Sequence, residues 1–258
     1  MQDARRQILT EVAAGTLTPT EAANRLEEIE RGPASSGGHD GPGVGSSIRG
    51  VRVSSSFGRV VVLGDASVDQ VTVDGPHAAH QEGDLFVIEG ESRFDGDFSF
   101  GRRTKGHWWD GIWDQQTVTV RMNPRLEVWV NSDAGTVTVR DIVAPIHAEV
   151  QAGSLTVQGF RGPLDLSASA GSIRGEGTLA EGTSRIRCEM GSVRIELAAD
   201  SDVRVTAMTQ VGRLHLDQGS DVAGPGGWSR RQEATYGAGT AALEVESQMG
   251  SVVVSGGR

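Results

Sequence analysis

The sequence has a single cysteine, a single lysine, few aromatic residues (5%) and no long apolar run in its 258 positions. Each shortage closes a class of explanation. With Cys188 alone, neither an intramolecular disulfide nor a paired-cysteine metal site can form, and the thiol reads as a small buried hydrophobe. Lys105 is the one lysine among 24 basic residues, set against 34 acidic ones for a formal net charge of −10. An acidic chain with no basic stripe is a poor match to nucleic acid or to an anionic membrane surface. Six Phe, five Trp and one Tyr are too few for a globular aromatic core. No segment approaches the roughly 20 apolar residues of a membrane span, and the N-terminus has no core of signal-peptide length, so the expected location is the cytoplasm.

What the chain has instead is glycine, 36 residues of it, seven of them in one recurring phrase. The phrase runs Phe57-Gly58-Arg59-Val60, Ala134-Gly135-Thr136-Val137, Ala152-Gly153-Ser154-Leu155, Ala170-Gly171-Ser172-Ile173, Met190-Gly191-Ser192-Val193, Val211-Gly212-Arg213-Leu214 and Met249-Gly250-Ser251-Val252. From Gly135 to Gly212 the glycines are 18, 18, 20 and 21 residues apart, the spacing of a supersecondary unit stacked on copies of itself. Five residues before each glycine the side chain is apolar; three before, it is mostly small; two after, it is always Val, Leu or Ile. The fourth position after is aliphatic too, except at Gly175. Both arms thus alternate with period two, as strands with one buried face do.

The residue just before each glycine is apolar as well, and counting it as inward makes the step to the next inward residue three. That odd step would turn the second arm to solvent unless the chain bends, and glycine suits such a corner because a Cβ is costly at positive φ. The expected fold is therefore mainly β: a β-solenoid-like stack of strand, glycine corner, strand repeats. A sandwich of meandering antiparallel strands is the structural alternative, because alternation does not fix pairing partners.

Residues 1–31 follow another period. Ile8, Leu9 and Val12, then Leu26 and Ile29, fall at helical spacing, and Thr18-Pro19-Thr20-Glu21 supplies an N-cap, a first-turn proline and a capping-box acid. Two helices of about three turns are expected, too short to be stable alone in water. Residues 32–47, rich in Gly, Ser and Pro, read as a flexible linker. The β-repeat domain then covers 48–258, with an aromatic insertion at 92–116 and a second insertion at 218–240.

Ile8-Leu9 with the run from Val12 to Ala23 and Leu26 resembles the SHOCT-like bihelical module that precedes certain envelope-stress proteins. The Ala-Gly-Ser-Ile/Leu/Val phrases from Ile48 onward resemble the putative-adhesin, or toastrack, domain of unknown function. Together these resemblances imply a non-enzymatic β-stack that serves as a sensing or assembly surface in bacterial envelope stress. They also imply a protein partner or self-association, with a membrane-bound stress-response protein of the phage-shock type among the partners.

No hydrolase elbow, P-loop or dinucleotide fingerprint is present, so no catalytic residue, cofactor, metal or small-molecule substrate is expected. His77-Ala-Ala-His80 has a ligand-like spacing, but Asp74-Gly75-Pro76 marks a loop with no third ligand nearby. Asp95, Asp97, Asp110 and Asp114 lie in a Gly-rich stretch and read as solvating acids rather than a glycosidase pair. The insertion concentrates Phe94, Phe98, Phe100, Trp108, Trp109 and Trp113 beside Arg102, Arg103 and Lys105. Those rings could cap strand edges, or Trp108, Trp109 and Trp113 with Arg102 and Arg103 could bind a partner. The candidate partner-binding set is thus these five residues with Ile8, Leu9, Val12, Leu26 and Ile29. The leading expectation is an interaction scaffold whose tethered hairpin docks on another protein, on a second copy or back on the stack. A carbohydrate-binding or carbohydrate-active solenoid and an end-to-end polymerising structural protein are the alternatives.

Overall fold

A computed structural model describes residues 48–90, 117–222 and 229–257. The chain divides into two compact units, Met1–Gly43 and Val44–Arg258, and every described residue belongs to the second. Among the described residues there are thirteen strands: β1 (Gly50–Gly64), β2 (Val71–Asp74), β3 (His77–Glu82), β4 (Leu85–Gly90), β5 (Thr117–Met122), β6 (Glu127–Arg140), β7 (Ile146–Phe160), β8 (Leu164–Gly177), β9 (Thr183–Leu197), β10 (Val203–Leu216), β11 (Ser220–Val222), β12 (Arg230–Tyr236) and β13 (Ala241–Gly256). The seven that carry the glycine phrase are long, each a pair of arms joined at the corner.

These seven strands stack in parallel, glycine upon glycine: Gly58 pairs with Gly135, Gly135 with Gly153, Gly153 with Gly171, Gly171 with Gly191, Gly191 with Gly250, and Gly250 with Gly212. The β-solenoid-like stack is therefore the fold, and the antiparallel sandwich is not. In-register stacking sends like residues into columns. The first arms bury Val128, Ile146, Leu164 and Val205 in one column, and Val130, Ile186, Leu166 and Val245 in the next. The second arms bury Val137, Leu155, Ile173 and Val193. At about 25 cal/mol per Å² of apolar surface, such columns are the main source of stability.

Gly175 breaks the aliphatic column without leaving a hole. A Cβ there would meet the ring of Phe160 and the tip of Ile195, so the fully buried Phe160, delivered by a register shift after Gln158, fills the place of the missing side chain.

Two features depart from the reading above. First, the residue before each glycine does not point inward. Phe57, Met190, Met249 and Val211 are 51%, 50%, 50% and 63% exposed, so the last inward residue is the small one three before the glycine, such as Ser132, Val150 or Cys188. The bend is spread over several residues, and on the convex side of a bend the side chains fan out. Second, the rungs do not stack in chain order. The sheet runs β10-β13-β9-β8-β7-β6-β1, with the last strand slotted between β9 and β10. Asp202 pins that arrangement: its carboxylate accepts hydrogen bonds from the backbone N–H of Gly239, from that of Thr240 at 3.1 Å and from Thr240 Oγ1 at 2.9 Å, fixing the entry to β13 beside β10.

The rung beyond β1 is split. β4 pairs with the first arm of β1 and β5 with its second, so Gly90 lies beside Ser55 and Thr117 beside Arg59. In sequence the aromatic insertion falls between these two halves of the rung. Antiparallel strands finish the stack: β3 on β4 and β2 on β5 at one end, β12 on β10 and β11 on β12 at the other. Short alternating runs in the sequence at 68–73, 85–89 and 117–122 predict three further strands, and β2, β4 and β5 form on them.

At the corners the glycines have φ between 108° and 151°, and a Cβ on Gly153 or Gly171 would overlap the carbonyl oxygen of the glycine in the preceding rung. Gly153→Val and Gly171→Val are each expected to cost about 2–4 kcal/mol, through strained backbone and rungs forced apart. Urea unfolding checks this, and unchanged midpoints would remove the glycine-corner account. The hydrogen bonds from the Thr240 backbone and hydroxyl hold the Asp202 carboxyl below the ordinary carboxylate range. Its contribution is therefore complete above the unfolded value and lost as pH falls through the lowered folded one. Asp202→Ala should flatten the acid limb of the stability curve and speed hydrogen exchange in β13 before β7. Exchange unchanged in both strands would show that Asp202 does not pin the last rung.

Candidate functional site

Of the sequence-derived candidates, Ile8, Leu9, Val12, Leu26 and Ile29 lie outside the described residues, as do Arg102, Arg103, Trp108, Trp109 and Trp113 and the four loop aspartates. The seven corner glycines lie where the phrase put them. His77 and His80 are on β3, an edge strand rather than a loop, and the three-residue offset puts them on opposite faces. Among the described residues no group of three His, Cys, Asp or Glu is placed to hold a metal ion. From the second insertion, Tyr236 covers Gly256 and donates its hydroxyl to Asp217 O at 2.8 Å, and Arg231 pairs with Glu233 at 2.7 Å. Those contacts close the end of the stack.

The feature that sequence reading misassigned is the most exposed apolar one. Because the residues before the glycines pair in register, Val211, Met249, Met190, Ala170, Ala152, Ala134 and Phe57 form one continuous line across seven rungs. At about 4.8 Å per rung the line is about 29 Å long. It is flanked on one side by Gln210, Gln248, Glu189, Ser169, Gln151, Asp133 and Ser56, and on the other by hydroxyls from Ser251 to Thr136 with Arg213 and Arg59 at the ends. The split rung carrying the aromatic insertion lies next to β1, where this ridge ends at Phe57. An apolar crest with polar shoulders has the layout of an interaction surface.

No family model matches the chain, and no curated protein is similar to it. Two solved putative adhesins are. A putative cell adhesion protein from Clostridium sporogenes ATCC 15579 is 11% identical, with 81% of this chain and 94% of that one covered and a TM-score of 0.42. A putative adhesin from Bacteroides fragilis NCTC 9343 is 9% identical, with 82% and 93% covered and a TM-score of 0.24.

The outer face of the first arms carries a second ordered row. Trp129 stacks on His147 with centroids 5.6 Å apart and planes 6° from parallel, while the Arg49 guanidinium sits 5.5 Å from the Trp129 centroid. Trp129 thus has ring and cation partners, His147 from β7 and Arg49 from just before β1, the strands that flank β6 on its two sides. Asp165 lies 3.7 Å from His147, and Arg185 reaches Glu244 in the next rung pair at 3.0 Å. Exposed pairs of this kind contribute about 0–1 kcal/mol each and serve mainly to keep like charges from stacking.

Two grooves accompany these faces. One of about 570 Å³ lies at the ends of the second arms, between Arg161 and the carboxylates of Asp141, Glu176 and Glu196. The other, about 300 Å³, borders Cys188, Ser247 and the Arg187–Glu246 pair. Cys188 is 2% exposed, and burial, with the nearby Glu189 charge, pushes its thiol pKa up. Burial also raises that of Tyr236. A neutral, enclosed thiol is a packing group, not a nucleophile. Cys188 should therefore react with a thiol reagent about a hundredfold or more slower in the native than in the unfolded chain, following the opening equilibrium. Rapid native labelling would overturn the inward assignment of its column. Both raised groups contribute stability that is complete below their unfolded values and lost as pH rises through the folded ones, so alkaline unfolding should begin earlier than in Cys188→Ala.

Proposed function

We propose that this chain is a non-enzymatic interaction scaffold, a rigid β-stack that presents a protein-binding surface. The observation that carries this reading is the apolar ridge, in which Met190, Met249 and Val211 are each at least half exposed on consecutive rungs. Every rung has its own apolar residues buried inside, so the ridge adds nothing to the core, and leaving it in water is unfavourable. Methionine suits a binding surface because its unbranched thioether adapts to irregular partners.

Within this proposal residues 1–31 act as a tethered docking element. Ile8, Leu9, Val12, Leu26 and Ile29 would form an apolar stripe that seeks a groove on another protein, and residues 32–47 would give it reach. The resemblance to envelope-stress modules leads us to propose a cytoplasmic protein recruited to the membrane through a membrane-bound stress-response partner, with the insertion residues Arg102, Arg103, Trp108, Trp109 and Trp113 as a further contact.

Affinity capture with the full chain, followed by titration of the captured partner in purified form, tests the reading. Removal of residues 1–31, Leu26→Asp, or Met190→Asp with Met249→Asp should each weaken binding by about tenfold or more, while the thermal midpoint stays within about 2 °C of the parent. A partner that binds all three variants undiminished would sink the proposal.

A further inference from the structure

We propose that the ridge pairs with the ridge of a second copy of this chain, antiparallel, about a two-fold axis through Ala170. The inference rests on the reading of the ridge as an interaction surface and names its occupant. In stack order the ridge is bulky on one side of Ala170, with Met190, Met249 and Val211, and small on the other, with Ala152 and Ala134 before Phe57. Turned end for end, Met190 faces Ala152 of the partner subunit, Met249 faces Ala134 of the partner subunit, and Ala170 faces itself. Each methionine thus meets an alanine, and only the end pair, Val211 against Phe57 of the partner subunit, sets two bulky side chains together, three rungs from the axis. A parallel pairing would set methionine against methionine and leave a gap over the alanines, so shape selects the antiparallel arrangement.

The polar shoulders agree with that register. The two-fold axis brings the amide-and-acid shoulder of one copy against the same shoulder of the other. Glu189 then faces Gln151 of the partner subunit and Asp133 faces Gln248 of the partner subunit, a carboxylate against a carboxamide each time. Gln151 already donates one N–H to Asp133 of its own chain at 3.2 Å, and its amide has a second to give. On the other shoulder the serine and threonine hydroxyls of 136, 154, 172, 192 and 251 face one another. Arg59 would oppose Arg213 of the partner subunit, but three rungs, about 14 Å, from the axis, where sheet twist carries two convex ridges apart. Added salt, by screening that pair and the net charge of −10 per chain, should tighten the association.

The contact is small. Even in contact along its full length of about 29 Å, a crest about 10 Å wide would bury at most on the order of 600 Å² over both copies, about half the lower bound of a standard stable interface. Pairing is therefore weak in dilute solution and forms where copies are concentrated.

Register-specific cross-linking tests the pairing. In full-length chain with Cys188→Ala, Ala170→Cys and Ala134→Cys are each treated with a short bis-maleimide. The Ala170 positions of two copies meet at the axis, whereas the Ala134 positions lie about four rungs, roughly 19 Å, apart. Ala170→Cys is expected to give dimer about tenfold faster or more, through the raised effective concentration at the axis. Ala134→Cys should cross-link only when mixed with Met249→Cys. Adding Met190→Asp and Met249→Asp to the Ala170→Cys chain should abolish the product without lowering the melting temperature. Equal rates at positions 170 and 134, or a product that survives the two aspartates, would overturn the pairing. If the pairing fails while the same two aspartates still cost a different protein its binding, the scaffold reading stands and its occupant is not a second copy.

Discussion

The structure depends on one close approach, that of every corner glycine but Gly58 to the carbonyl oxygen of the glycine in the neighbouring rung. With φ from 137° to 151° at those six and the carbonyl occupying the place where a Cβ would sit, no other residue can hold the chain at that point while its neighbours stay at strand spacing. All else in the stack follows from keeping that approach in register. The arms are locked in parallel from end to end, and each side chain is fixed beside the equivalent side chain of the next rung. β4 and β5, which pair with the two arms of β1, are separated by 26 residues of sequence.

Strict register has a physical cost, which the sequence meets in the outward row of the first arms. Equivalent positions lie about 4.8 Å apart, so a conserved charge at any outward position would stack like upon like. One outward row of the first arms avoids this by changing chemistry at every step, from Glu244 to Arg185, Asp165, His147 and Trp129, whereas on the second arms Arg174 pairs with Arg194 and Glu176 with Glu196, exposed to water that screens them. Inside, repetition is harmless because aliphatic groups attract their own kind. The small column three before the glycine keeps the two arms close, and Cys188 belongs to it for its size.

The same repetition that builds the core draws the ridge on the outside. A bend of this type turns the side chain before each glycine to solvent, and a seven-fold repeat makes a line of what would be one exposed residue in another fold. Its composition is uneven, bulky toward β10 and small toward β7 and β6, which the core does not require. That unevenness is what connects architecture with the proposed self-recognition.

The period-two arms, the glycine corners, the number of main rungs and the inward aliphatic positions were legible in the sequence, because seven copies in phase average out local accident. β2, β4 and β5 were legible on a different ground, as short runs of alternating apolar and polar residues. The direction of the residues before the glycines was not, since counting alternate positions assumes a straight chain and the bend consumes several residues. Nor was the place of β13, because like rungs have like edges and local pattern cannot say which edge a strand joins. Sequence alone determined what each rung is made of. Only the tertiary structure decided the order of the rungs and which apolar column faces water, because both depend on contacts between segments far apart in the chain, such as Asp202 with Thr240.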